Sequence, residues 1–123
     1  MLDAGGLLLL EANDREAIAA LKHQFTAGSL PLSHGGIVGQ VWRGGRGRQA
    51  NLARLLESVK IEPLDDPLGR RAGVLLGRAG GKDVVDAAVV LLASDGDEIW
   101  TSDPEDLQIL AEASGIHVDI IPV

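Results

Sequence analysis

The 123-residue sequence contains no cysteine, which excludes disulfide bonds and every metal site that needs a thiolate ligand. It also lacks a long hydrophobic run, since the longest apolar stretch, Ala87 to Ala93, is far shorter than the ~20 residues of a membrane span. The leucines at 7–10 follow Asp3 and no basic segment precedes them, so we expect no signal peptide. The absence of cysteine suits a reducing compartment, and we expect a cytoplasmic protein that does not associate with membranes.

The composition is 46% hydrophobic and 24% charged, which is typical of one globular domain, here residues 1–123. A net charge of −7 argues against simple electrostatic binding to nucleic acid, but the charges are unevenly distributed. Residues 43–82 contain nine of the eleven basic residues and four acidic ones, a net +5 that leaves −12 for the rest. Chance clustering on a solvated surface explains this pattern. So does an acidic pocket for cations beside a basic rim for a polyanion.

Strand and helix patterns alternate along the chain and predict an α/β fold with a mostly parallel sheet. A turn is expected at Gly5-Gly6, after a short first strand. The run after Asp83 is too long for one strand and has a helix-capping start, so we predict a buried helix there. The predicted strands are 1–3, 30–33, 59–64, 97–102 and 116–123, and the predicted helices are 14–27, 37–43, 49–58, 66–76, 83–93 and 103–114.

Five aspartates occupy the places where functional groups gather in parallel α/β sheets, beyond the carboxyl ends of strands. Asp3 ends the first strand, Asp83 and Asp86 open the buried helix, and Asp103 and Asp106 follow the strand at 97–102. Helix capping is the alternative explanation for the last four. It explains Asp3 poorly, because the sequence predicts no helix directly after it.

Carboxylates brought together repel one another and resist ionisation unless a cation shares them. An oxygen-only donor set, with no cysteine and no histidine placed among the aspartates, favours Mg²⁺ or Mn²⁺ over Zn²⁺. The three histidines, His23, His34 and His117, are scattered along the sequence and receive no role.

Four segments occur in the order found in PIN-domain proteins: LDAGGLLLLEANDR, IVGQVWRGG, KDVVDAAVVLLASDGDEIWTSDPEDL and IHVDIIPV. The chain resembles the compact VapC-type toxins of bacterial toxin–antitoxin pairs. The resemblance implies a three-layer α/β/α sandwich and a Mg²⁺- or Mn²⁺-dependent endoribonuclease that forms a homodimer and is inhibited by a cognate antitoxin. It also implies that Asp3, Asp83 and Asp103 are catalytic and hold the metal together with Asp86 and Asp106.

The sequence departs from that family at Gln40, where the family usually has a glutamate. A glutamine amide can accept a hydrogen bond from a metal-bound water but supplies no negative charge. The second hypothesis is therefore a catalytically impaired PIN-like domain that serves as a metal-binding or protein-interaction module.

Basic residues of the 43–82 segment are candidates for contacts with RNA phosphates. For those at 43–48, an exposed flexible loop is the alternative explanation. Trp42 and Trp100 are candidates for base stacking, or for packing in the core or at a dimer interface. The predicted RNA-binding residues are Arg43, Arg46, Arg48 and Lys82, with Arg54, Arg70, Arg71 and Arg78 in the same segment.

Overall fold

A computed structural model of the chain describes the backbone of residues 1–123 and every side chain except that of Phe25, which the sequence predicts on a helical stripe. The described residues form a mixed α/β fold with seven α-helices and four short strands. The elements, in chain order, are α1 (Ala4–Glu11), α2 (Arg15–Thr26), β1 (Leu32–His34), α3 (Gly35–Val41), a 3-10 helix (Gly47–Gln49), α4 (Ala50–Leu56), β2 (Lys60–Glu62), α5 (Asp66–Ala79), α6 (Val84–Leu92), β3 (Glu98–Thr101), α7 (Pro104–Ser114) and β4 (Asp119–Pro122).

The strands form two parallel pairs, β1 with β2 and β3 with β4. The extended residues 1–3 lie between the pairs and bond to both. The backbone N–H of Leu2 donates to the Leu32 carbonyl at 2.8 Å, and that of Asp3 donates to the Trp100 carbonyl at 3.1 Å. The order across the molecule is therefore β2, β1, residues 1–3, β3 and β4. The predicted parallel pairing is confirmed, and the carboxyl ends of β1 and β3 flank Asp3.

From the second helix onward, the predicted elements are found within a few residues of their expected bounds. The prediction of a turn at Gly5-Gly6 is wrong, because both glycines lie inside α1. A Cβ atom on Gly5 would lie 2.8 Å from the backbone nitrogen of Ser102. Glycine thus lets α1 pack directly against the end of β3, an approach that the local sequence does not reveal.

The hydrophobic core is one cluster of buried side chains to which almost every element contributes. Helix α6 is buried along most of its length because α5 and α7 both pack against it. Its apolar run is therefore the centre of the helical layer. Among the described residues, no helix combines the length and apolarity that a membrane span needs. Core side chains with no exposed surface are Leu7, Ile37, Leu52, Val89, Val90, Ile99 and Leu107.

Candidate active site

Asp3 lies where the extended residues 1–3 end and α1 begins, and its side chain is 3% exposed. One carboxylate oxygen, Oδ1, accepts a hydrogen bond from the backbone N–H of Ala4 at 2.8 Å, so Asp3 is the N-cap of α1. The expectation that capping explains Asp3 poorly is therefore wrong. The other oxygen, Oδ2, accepts a hydrogen bond from the Thr101 hydroxyl at 2.7 Å. The carboxylate is thus fixed by two different elements, α1 and β3.

Thr101, which the sequence analysis missed, links two of the predicted acids. Its side chain is fully buried at the end of β3, and its Oγ1 both donates to Asp3 and accepts from the backbone N–H of Asp103 at 2.9 Å. A threonine that bonds to the backbone two residues later is a common local motif, so the Thr-Ser-Asp spacing was the available signal. Through Thr101, the loop that carries Asp103 is held next to Asp3.

Asp103 and Asp106 lie at the start of α7, and both side chains are exposed. Asp103 occupies the N-cap position, but its side chain makes no capping hydrogen bond. The capping explanation therefore fails for Asp103, and the carboxylate remains exposed to solvent. Asp106 lies one turn further along and lines the same cleft as the acids of α6.

Asp83 and Asp86 stand at the start of α6, where the capping prediction is confirmed for Asp83, whereas the side chain of Asp86 makes no capping hydrogen bond. Asp83 Oδ1 accepts a hydrogen bond from the backbone N–H of Asp86 at 3.1 Å. Asp86 is only 6% exposed, and no hydrogen bond to its carboxylate occurs among the described residues. Both residues line a cleft of about 380 Å³ between α5, α6 and α7, together with Lys82 and Asp106. Asp86 therefore lies at the wall of an open cleft, where its carboxylate oxygens have no protein donor and keep contact with solvent.

The charges of the other four aspartates act on Asp86. Burial and then the negative charges of Asp83, Asp3, Asp103 and Asp106 raise the pKa of its carboxyl group from the usual 3.8 to about 7. Three separate segments, the end of residues 1–3, the start of α6 and the start of α7, supply these charges. The structure thus brings together the acids that the sequence analysis selected from their positions at strand and helix ends.

The donor set fits a hard divalent cation by its chemistry. It offers carboxylate oxygens only, as Mg²⁺ and Mn²⁺ prefer, and none of the five acids forms a salt bridge with a described Lys or Arg side chain. The described side chains nonetheless contain no group of three His, Cys, Asp or Glu residues that could hold one ion. Asp83, Asp86 and Asp106 line the cleft, but the described acids do not form a complete ligand set for one ion.

His34 is a second residue that the sequence analysis missed. Its ring is fully buried at the carboxyl end of β1. The Nδ1 atom accepts a hydrogen bond from the backbone N–H of Gly36 at 3.0 Å, so Nε2 carries the proton and donates to the Val85 carbonyl at 3.0 Å. Burial lowers the pKa of the imidazole, opposed by the Val85 hydrogen bond and the charge of Asp3. His34 therefore joins the start of α3 to the first turn of α6. In the sequence, the position of His34 at the end of a strand and directly before a helix is the feature that could have indicated this role.

Gln40 lies on α3 with an exposed side chain, and no hydrogen bond of that side chain occurs among the described residues. Arg43 is turned back on its own chain, where Nη1 donates to the carbonyls of Gly39 and Trp42 at 3.1 and 2.6 Å. Arg46 and Arg48 are exposed, in the loop before α4. The cleft lined by Asp83, Asp86 and Asp106 is called the carboxylate cleft below. Of the predicted RNA-binding residues, Lys82 alone lines it.

The two tryptophans differ. Trp100 is 6% exposed in the core, so the core-packing prediction is confirmed for it. Trp42 is partly exposed, and its ring covers Gly45, where a Cβ would collide with it. Base stacking therefore stays a prediction for Trp42 only.

Comparison of the chain with protein-family models and with curated proteins gives no match at a significant level. The fold and the residues of the cleft are therefore the observations that bear on function.

Proposed function

We propose that the protein is a Mg²⁺- or Mn²⁺-dependent endoribonuclease, the toxin of a toxin–antitoxin pair, with a PIN-like three-layer α/β/α architecture. The observation that carries the proposal is that Asp83, Asp86 and Asp106 line one cleft, while the charges of Asp3 and Asp103 also act on Asp86. A cluster of this kind is unfavourable in a bare protein, and a shared divalent cation would relieve the repulsion.

The arrangement of the strands supports the architecture. Parallel pairs on both sides of residues 1–3 give a sheet-like centre. In parallel α/β sheets, functional groups collect at the carboxyl ends of the strands. Here β3 ends at Thr101 and residues 1–3 end at Asp3, and a hydrogen bond between these two side chains joins the ends.

Asp3, Asp83 and Asp103 are the residues proposed to hold the cation, with Asp86 and Asp106 beside them. A bound cation would neutralise charge on the scissile phosphate and lower the pKa of the attacking water. The chain's own contribution is to hold the acids in place. Thr101 fixes Oδ2 of Asp3, the oxygen that does not cap α1. The first turn of α6 favours the negative charge of Asp83.

The partners belong to the same proposal. An RNA substrate would reach the cleft beside Lys82, the basic residue in its lining. A cognate antitoxin would offer a cationic side chain to the carboxylates, and two copies of the chain would form a homodimer. These assignments rest on the resemblance to VapC-type toxins.

The second candidate is a catalytically impaired domain that binds metal or protein without cutting RNA. Gln40 favours it, because this exposed amide replaces the glutamate expected there and brings no charge. The lack of a complete set of metal-ligating side chains among the described residues also favours it.

The test is cleavage of pooled cellular RNA by the purified protein with Mn²⁺, compared with Asp83→Asn. Asparagine caps a helix as well as aspartate does, so this variant keeps its fold while losing one charge. Asp119→Asn is the matched control, since Asp119 is an exposed aspartate on β4, outside the cleft. The proposal predicts metal-dependent cutting by the wild type and the control, and loss of cutting in Asp83→Asn.

The other outcomes separate the two candidates. If no protein cuts but Mn²⁺ raises the melting temperature of the wild type and not of Asp83→Asn, the binding module is correct. Cutting restored by Gln40→Glu would then identify the missing glutamate as the cause. Equal cutting by the wild type and Asp83→Asn would show that the nuclease proposal is wrong.

A further inference from the structure

A second groove, of about 340 Å³, lies between α5 and the C-terminal ends of α6 and α7. Three arginines of α5 line it, Arg70, Arg71 and Arg78, and its described lining includes no acidic residue. In a chain with a net charge of −7, this is a concentrated site of positive charge. We call it the arginine groove.

The charge of the arginine groove is hardly compensated by its surroundings. Arg70 contacts Asp66 at 2.9 Å, but both side chains are mostly exposed and such pairs contribute little. Arg71 and Arg78 form no salt bridge among the described side chains. Their guanidinium groups are therefore free to bind an anion, and phosphate is the group whose geometry they match best.

The floor of the groove is aliphatic, with Val74, Leu75 and Leu91 among its residues. No aromatic side chain lines it among the described residues, so it provides no ring on which a base could stack. Contacts there would be made to the sugar-phosphate backbone, which positions a strand without reading its sequence.

Helix α5 separates the arginine groove from the carboxylate cleft. Leu76 and Ala79 face the cleft, whereas Leu75 and Arg78 face the groove. Between these two faces runs a stripe of three glycines at i, i+4 and i+8, where an added Cβ would meet no atom within 4 Å: Gly69, Gly73 and Gly77. No side chain of α5 stands on this stripe between the two surfaces.

We infer that the RNA strand whose phosphate lies in the carboxylate cleft continues across the glycines of α5, and that Arg71 and Arg78 bind its phosphates in the arginine groove. The inference rests on the proposed nuclease function and adds the path of the substrate. Charge complementarity favours RNA as the occupant. A second copy of this chain packed symmetrically on the groove would place arginine against arginine, and an acidic peptide would have no reason to lie beside the cleft.

The test measures binding of a fluorescent 12-nucleotide single-stranded RNA by anisotropy in EDTA, which prevents metal-dependent cutting, over a series of salt concentrations. Arg71→Gln/Arg78→Gln is compared with Arg15→Gln/Lys22→Gln, which removes the same charge from exposed sites on α2. The logarithm of the RNA association constant falls as the logarithm of the salt concentration rises. Loss of two phosphate contacts should make this negative slope shallower by about 1.4 and weaken binding roughly 10- to 25-fold near 0.1 M salt. The control variant should keep the wild-type slope.

Equal slopes for the two double variants, or no RNA binding by the wild type, would overturn the inference. So would tighter binding of a polyglutamate peptide than of RNA, lost in Arg71→Gln/Arg78→Gln, or a change from dimer to monomer in that variant by sedimentation. The RNA-cleavage assay with Mn²⁺ is separate. A wild type that binds RNA through the groove but does not cut it would refute the nuclease and not the groove.

Discussion

Replacing Asp86 with asparagine should stabilise the metal-free protein, and the size of the effect should depend on pH. The pKa of the Asp86 carboxyl group is about 7 in the folded chain, compared with the usual 3.8. Between these two values the folded state binds more protons than the unfolded state. The free energy of unfolding therefore falls as the pH rises from 3.8 to about 7, and the full loss is present above that range.

The magnitude follows from the two pKa values. A separation of about three pH units corresponds to about 4 kcal/mol at ~1.4 kcal/mol per unit. That figure is an upper bound because the carboxylate lines an open cleft, so water screens part of the repulsion. Asparagine has the same shape without the charge, and no described hydrogen bond to the side chain is lost. We expect Asp86→Asn to be about 2–4 kcal/mol more stable than the wild type at pH 8, and close to it at pH 4.

The assay is urea denaturation in EDTA at pH 4 to 8, followed by circular dichroism. Asp119→Asn, an exposed substitution on β4, should behave like the wild type at every pH. Saturating Mn²⁺ should stabilise the wild type more than Asp86→Asn, which would reduce or reverse the advantage of the variant. Equal stability of the wild type and Asp86→Asn at pH 8 in EDTA would refute the argument that the five carboxylates repel one another.

Two further substitutions test how the site is built. Thr101→Val keeps the side-chain volume but removes both site hydrogen bonds, one of them to a buried carboxylate, and should cost about 2–3 kcal/mol in urea denaturation. Thr26→Val, at an exposed threonine, should change stability by less than about 0.5 kcal/mol, and equal losses would contradict the role of Thr101. Gly5→Ala places a Cβ against the backbone of Ser102 and should destabilise by about 1–3 kcal/mol. Gly73→Ala, where space is open, should instead stabilise α5 by about 0.5–1 kcal/mol. A Gly5→Ala variant as stable as the wild type would refute the close approach of α1 and β3.

The elements that the sequence predicts well are those whose signals are local. Asp65 and Asp83 cap α5 and α6, and each is followed by the apolar pattern of a helix that packs in the core. The local sequence does not predict helix α1, because the glycine pair at positions 5 and 6 resembles a turn. Its stability depends on contact with β3, almost a hundred residues away, which no local pattern encodes.

The same distinction explains which site residues were found. The five acids stand at strand and helix ends, where position alone suggests a role. Thr101 and His34 act through hydrogen bonds to residues 98 and 51 positions away, and their importance becomes visible once the strands are placed side by side. A threonine or histidine at a strand end has many ordinary explanations until its partner is known.

An aspartate that caps a helix can also contribute its charge to the acidic cluster, and the structure shows one side chain doing both. Asp3 and Asp83 each use one oxygen to cap a helix, and both still contribute their charge to the cleft. Asp86 is different, because it caps nothing, has no protein donor among the described residues and is destabilised by every neighbouring acid. Asp86 stands in the first turn of α6, where a negative charge suits the helix, but the charges of its acidic neighbours oppose its ionisation. Under the proposed function, a bound cation would relieve this repulsion.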